Sequence, residues 1–270
     1  MEIVEFAKNE LKKFNDIKID PIPHIYEDSK KTKYTSVTTF VKNYAQEFPK
    51  AKLAVRCALR DGRSVDEILA EWDKKGAYAR LLGTEIHSVM EHLWNGDENK
   101  PDYKAMGEYD GMVKDFEYRK EICEELYEKM SKIYVPIANE IIVNDPSLGL
   151  AGTIDFVAYN KRTDTIDILD WKTSKQFSMS SGNKMMKFPF SSFPNTNVYE
   201  YSLQLSLYKY IVEKYTDIRI SELRLFQIPG KGKMKTAKCA DMTDLIKKHL
   251  VGSELITEEN QDLEILQYIK

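Results

Sequence analysis

Leu150-Ala151-Gly152-Thr153-Ile154-Asp155-Phe156-Val157-Ala158-Tyr159-Asn160 is followed, after Lys161-Arg162-Thr163-Asp164, by Thr165-Ile166-Asp167-Ile168-Leu169-Asp170-Trp171-Lys172-Thr173. Both runs are rich in β-branched and aromatic residues, and the polar interval has the composition of a turn. The pair predicts a β-hairpin. Side chains alternate faces along a strand. Ala151, Thr153, Asp155, Val157 and Tyr159 therefore share one face of the first strand, and Ile166, Ile168, Asp170 and Lys172 share one face of the second. If Asn160 pairs with Thr165, Asp155 falls directly opposite Asp170, with Cβ atoms about 5 Å apart. Carboxylates that close repel and resist desolvation, and a divalent cation resolves both problems. Oxygen donors suit Mg²⁺ or Mn²⁺. A lysine just beyond a ligand can position an attacking water or neutralise charge developing on a phosphate. Asp-x-Lys alone occurs on many surface hairpins; the opposed Asp155, with Gly152 shortly before it, makes the combination specific.

Working outward, the chain reads as mixed α/β, with helices flanking this hairpin. Residues 3–14 have the pattern of an amphipathic helix, and Pro21 and Pro23 break the chain beyond it. His24–Tyr26 and Lys33–Ser36 flank a polar turn, a second hairpin signal. Thr38–Tyr44 and Ala51–Leu59 read as helical, with Pro49 between them. Ser64 and Glu67 have the spacing of a capping box at a helix start. Tyr78–Trp94 is helical by the recurrence of Leu82, Ile86, Val89 and Leu93. Ala105–Tyr134 reads as a long charged helix running to Pro136. Glu140–Asn144 is a short β run, and Asp145–Gly149 a turn. Tyr199–Tyr215 returns to helix, Ile218–Ile228 to strand, and Asp241–Leu250 and Leu263–Ile269 suggest terminal helices. No linker divides the chain. The expected organisation is one domain over 1–270: a helical and hairpin region at 1–75, a core at 76–230 and a C-terminal helical segment at 231–270.

With 270 residues, 42% hydrophobic and 31% charged, the composition excludes wholesale disorder, and no apolar window is long enough to span a bilayer. Met1–Lys13 is too charged for a signal peptide. Cys57, Cys123 and Cys239 are scattered. That set argues for the cytoplasm or another reducing intracellular compartment, a phage-encoded setting included, and against a four-cysteine metal site. The net charge of −3 conceals strong local asymmetry. Residues 97–128 hold eleven acidic against five basic side chains, whereas Lys50–Arg63, Lys172–Lys187 and Arg224–Lys238 are basic. Lys52, Arg56 and Arg60 would form one stripe on a helix. Such segments permit a nucleic-acid partner without requiring one, and solvated surface is the plainer account of any single one.

Gly152-Thr153-Ile154-Asp155 and Asp170-Trp171-Lys172 resemble the catalytic motifs of the PD-(D/E)XK nuclease superfamily. Gly83-Thr84-Glu85-Ile86-His87 resembles the helical histidine motif of its RecB-like branch, and Gln204-Leu205-Ser206-Leu207-Tyr208 that branch's Gln-x-x-x-Tyr helix. The motifs stand in the family's order and span Gly83 to Tyr208. The resemblance is to the compact single-domain exonuclease type. It implies a restriction-endonuclease-like α/β fold, a central mixed sheet with an antiparallel catalytic hairpin. It further implies Asp155, Asp170, His87 and the Trp171 backbone carbonyl as ligands of one or two Mg²⁺ or Mn²⁺ ions, and Lys172 as the catalytic lysine. Gln204 and Tyr208 would assist beside the site. Glu140 and Glu91 rank as further candidates, near the metal or behind His87. Several RecB-like relatives hold an iron–sulfur cluster on four cysteines; the three here imply none. His24, His92 and His249 match no motif and read as structural or surface residues.

The implied reaction is metal-assisted phosphodiester hydrolysis leaving 5′-phosphate and 3′-hydroxyl ends, in DNA repair, recombination or replication. Between the catalytic strand and the Gln204 helix, Lys175, Lys184 and Lys187 interleave with Phe177, Phe188, Phe190 and Phe193. Lysines that follow a phosphate backbone and aromatics that stack on bases suit single-stranded DNA or frayed ends; phenylalanines packing onto the fold account for the pattern equally well. Lys52, Arg56 and Arg60, with Lys231 and Lys233, are candidate contacts to phosphates further along. An exonuclease acting on DNA ends is the leading expectation. An endonuclease or flap-cleaving enzyme on the same fold is the first alternative, and a catalytically silent module binding DNA or a protein partner the second.

Overall fold

The hairpin forms with the inferred closure. In the computed structural model, which describes residues 2–20, 25–174 and 177–251, β5 (Leu150–Asn160) and β6 (Thr165–Lys172) pair antiparallel from Asn160 opposite Thr165. The turn closes on the Asp164 N–H, which donates to the Asn160 carbonyl at 2.9 Å. The ladder ends at Phe156 opposite Leu169, so the expected pair of Asp155 with Asp170 is absent. The reason is competition for one edge. β4 (Tyr134–Asp145) lies antiparallel along β5 from end to end. The other edge is shared: β3 (Lys33–Ser36) pairs parallel with Leu150 and Ala151, and β6 takes Phe156–Asn160. Between them Gly152–Asp155 have an open edge, and β6 diverges, its end held by β7 (Ile220–Gln227) running parallel. Every other residue of β5 has a partner in β4; Asp155 has one in neither neighbour. Its carboxylate instead accepts the Trp171 N–H at 2.8 Å.

β1 (Ile17–Asp20) and β2 (Ile25–Asp28) continue the sheet beyond β3, and β8 (Lys235–Lys238) closes the far edge, giving eight strands among the described residues. Helices cover both faces, which is why β5 and β6 read as nearly continuous apolar runs. On one face α1 (Glu2–Leu11), α2 (Val37–Val41) and α7 (Asn197–Tyr215) pack Leu11, Val37, Leu205 and Ile211 against Val157, Ile166 and Ile168. On the other, α4 (Val65–Asn95) and α6 (Met112–Met130) pack Ile86, Met90 and Phe116 against Phe156, Leu169 and Trp171. Ile154 joins Val157 on the first face although strict alternation would separate them; the step slips at Asp155, where pairing fails. α7 is buried on nearly all sides, and Ser202 and Ser206 turn their hydroxyls back to the carbonyls of Val198 and Ser202.

α4 begins as its capping box demands: Ser64 Oγ accepts the Glu67 N–H, and the Glu67 carboxylate accepts the Ser64 N–H at 2.8 Å. It then runs unbroken for 31 residues through Gly76 and Gly83 and across residue 75, the expected boundary of the N-terminal region. Three expectations need correction. The helix over Ala105–Tyr134 is two helices, α5 (Tyr103–Gly107) and α6, separated at Gly111, whose φ of 72° ends regular helix. β4 begins at Tyr134 rather than Glu140; pairing with β5 extends it, and Pro136 is accommodated beside an irregularity in register. The C-terminal segment opens with a strand, β8, before α8 (Thr243–Ile246) and a π-helical turn over Lys247–Val251. β1 has no counterpart among the sequence signals. Leu263–Ile269 and His24 lie outside the described residues. No helix among the described residues is long and apolar enough to cross a membrane.

Candidate active site

The fork between β5 and β6 opens into a cleft of about 940 Å³ bounded by α4 and α7. His87 enters it from α4, Glu140 from β4 and Asp155 from β5. His87 Nδ1 stands 3.4 Å from Asp155 Oδ2 and 3.5 Å from Glu140 Oε1. One donor atom from each of the three lies within 4.8 Å of the others. Glu140 sits opposite the unpaired Asp155 with φ 45°, a conformation costing a non-glycine residue about 1–3 kcal/mol and kept where surroundings enforce it. Its Oε1 is buried without a hydrogen-bond partner.

Burial opposes charge at His87, Asp155, Asp170 and Lys172. It pushes the His87 imidazole down, but the carboxylates of Asp155 and Glu140 outweigh it and raise the group to about 9. Burial raises Asp155 above the ordinary carboxylate range against the pull of His87 and Lys172. Burial and the charge of Asp155 raise Asp170, with Lys172 opposing. Lys172 is itself disfavoured by burial and held charged by Asp170 and Asp155. The charge favoured on His87 thus faces Asp155 and Glu140 from within 3.5 Å. One imidazole and two carboxylates, one of them with an unpartnered buried oxygen, fit a divalent ion.

Asp170 stands outside that three-residue cluster. Lys172 Nζ lies 2.9 Å from its Oδ1 and 2.7 Å from its Oδ2. The ammonium also lies 4.7 Å from the centre of the Tyr201 ring, a contact that supports a cation. Trp171 buries its side chain between Phe156 and Phe226 on the opposite face and meets the site through its main chain. Gln204 and Tyr208 line the cleft from α7, and Gln204 Nε2 donates to the Tyr208 hydroxyl at 3.2 Å. Tyr208 lies over Gly152 so closely that a Cβ there would stand 2.7 Å from its ring and hydroxyl. Glu91 lines the cleft one turn beyond His87.

Two contributors escape sequence reasoning. Tyr26, from β2, meets Thr153 Oγ1 at 3.1 Å and closes one wall. Arg119 of α6 is buried; its Nη1 donates to the Thr173 carbonyl at 3.1 Å and to the Ile228 carbonyl, and its Nε to Asp115 at 2.9 Å. It thereby ties together the ends of β6 and β7 just past Lys172. The spacing of Asp115 and Arg119 on one helix face is its only signal.

The remaining expected contacts lie away from the cleft lining. Lys52, Arg56 and Arg60 are exposed on α3 (Lys50–Asp61), and Arg60 pairs with Asp61 at 2.6 Å. Lys231 and Lys233 are exposed beyond β7, Lys231 bordering a separate cavity of about 620 Å³ beside Asp115 and Arg119. In the loop before α7, Phe190 is buried and Phe177 and Phe193 pack on the core, whereas Lys184, Lys187 and Phe188 are exposed. Lys175 lies outside the described residues. His92 pairs with Asp97, and His249 packs edge-on against Phe188. Residues 44–269 match the family model of the PD-(D/E)XK nuclease superfamily. No curated protein matches the chain.

Proposed function

The chain belongs to the PD-(D/E)XK nuclease superfamily, and on that premise we propose a metal-dependent deoxyribonuclease of the RecB-like branch, acting as an exonuclease on single-stranded DNA or DNA ends. One observation carries the reading: His87, Glu140, Asp155 and Lys172, from four separate elements, line one cleft with Gln204 and Tyr208. His87, Glu140 and Asp155 would hold the ion, with Asp170 beside them. When bound, a divalent ion polarises the phosphate and activates water. Lys172, charged and fixed by Asp170 and Tyr201, would orient the attacking water and meet charge developing on the phosphate. Gln204 and Tyr208 would keep that wall in place. Exposed Lys184, Lys187 and Phe188 support the preference for unpaired strands. The organisation as one domain over 1–270 is part of the same proposal.

The test is cleavage of end-labelled single-stranded, duplex and circular DNA in Mg²⁺, Mn²⁺ or EDTA, beside Lys172→Ala. Metal-dependent loss of linear strands with circles spared is expected, and Lys172→Ala is expected to lose at least about a hundredfold in kcat. Cut circles would establish an endonuclease instead. No cleavage by folded, metal-loaded protein would leave a binding module.

A further inference from the structure

α4 presents more than His87 to the cleft. Arg80, Thr84, His87 and Glu91 all line it, at a spacing that keeps them on one helix face. Arg80 is exposed, with its guanidinium lying back along the helix toward Gly76, where a Cβ would come within 3.3 Å of Nη1. The missing side chain at Gly76 leaves that guanidinium room to lie flat and to swing out. Lys172, the other arginine or lysine lining the cleft, is committed to Asp170. Arg80 has no ion pair among the described residues. The cleft carries Glu91, Glu140 and Asp155. A polyanionic strand therefore needs an uncommitted cation beside the cluster, and Arg80 is the one on this wall. It lies two helical turns from His87, about 10 Å along the axis, which displaces it from the reacting phosphate.

We propose that Arg80 holds a backbone phosphate of the substrate strand, displaced along the cleft from the phosphate at the His87 cluster, and so fixes how the strand lies in the site. A guanidinium matches phosphate geometry with two parallel donors. The inference rests on the nuclease reading and assigns Arg80 to substrate positioning, not to the chemistry.

The experiment measures binding of a fluorescein-labelled single-stranded oligonucleotide in Ca²⁺ across a salt series, together with kcat and KM for its cleavage in Mg²⁺. The proteins are wild type, Arg80→Gln, Arg80→Lys and, as a control on α1 outside the cleft, Lys8→Gln. Arg80→Gln is expected to weaken binding and raise KM roughly tenfold with kcat unchanged, and to lower the slope of log K against log salt by about 0.7. Arg80→Lys should restore the slope and only part of the affinity. A second arm neutralises single phosphates as methylphosphonates, the terminal phosphate included. One position should penalise wild type and not Arg80→Gln, which also tells an internal phosphate from a terminal one. A salt slope equal to wild type, or the same penalty pattern in both proteins, would overturn the proposal. If wild type cleaves and Arg80→Gln matches it throughout, only this assignment falls. If wild type neither binds nor cleaves, the nuclease reading falls with it.

Discussion

Gly152 has no room for a side chain, since a Cβ would stand 2.7 Å from the Tyr208 ring and hydroxyl. Gly152→Ala should therefore push Tyr208 off β5, break its bond to Gln204 and shift α7 beside the cleft. A urea melt should show a loss of about 1–3 kcal/mol, and cleavage should fall with it. A variant as stable and active as wild type would mean that the helix yields freely. Tyr208→Phe keeps the ring and removes one hydrogen bond, so it should cost only about 1 kcal/mol. At this scale much was legible. Gly152, Asp155, Asp170 and Lys172 are small or polar interruptions in two β-rich runs, and such interruptions show in a single sequence. Glu140 is faint in the sequence because its place depends on a φ of 45° opposite an unpaired residue, which no one-strand pattern encodes. Arg80 could have been found by extending the His87 face two turns back along its helix.

Elements are positioned by contacts remote in sequence, and two of these make predictions. Arg119 joins α6 to the carbonyls of Thr173 and Ile228 while pairing with Asp115. Arg119→Ala leaves the half-buried Asp115 carboxylate to Tyr78 alone and takes a donor from two carbonyls, and should cost about 1–3 kcal/mol. Because β6 ends beside Lys172, kcat should fall more than KM rises; a stability loss with kcat intact would make Arg119 merely structural. At the other end of the sheet, fully buried Asp145 closes β4 onto α7, accepting from Lys214 at 2.9 Å, Tyr215 at 2.8 Å and Ser147 at 2.7 Å. Burial would raise this carboxyl, but those donors outweigh it and hold the group below its ordinary value. A depressed folded value gives stability that is complete above the unfolded value, near pH 4, and is lost as pH falls through the folded one. Asp145→Asn should be about 1–3 kcal/mol less stable near neutrality, with the gap closing below about pH 4. A gap that persists into acid would show that packing, not charge, is what Asp145 supplies. Elements with a local signal, such as α4 with its capping box, were readable. The start of β4 and the forked edge of β5 were not, because the partner strand decides them: Tyr134–Ile137 is compatible with a helix end until β5 claims it.

At the scale of the molecule, the cleft assembles donors from residues 87, 140 and 155, which meet only once α4, β4 and β5 are packed. An ion held there binds the folded chain and not the unfolded one, so its binding free energy adds to stability. A hundredfold excess over Kd is worth about 2.7 kcal/mol, and for a chain of this size that raises Tm by roughly 5–10 °C. Calorimetry should show this rise with Mn²⁺ or Mg²⁺ and its reversal by EDTA. The ion also relieves the repulsion between the clustered carboxylates of Glu140 and Asp155. Asp155→Asn removes both a ligand and part of that repulsion. It should abolish the metal-dependent rise. Without metal it should lose less stability than loss of a paired buried carboxylate would cost, because the amide oxygen of the substituted side chain can still accept the Trp171 N–H. An equal rise in wild type and Asp155→Asn would place the ion elsewhere on this acidic chain. No rise in wild type, with metal binding demonstrated, would mean that the unfolded chain holds the ion as tightly as the folded one, and that the folded cluster is not its site.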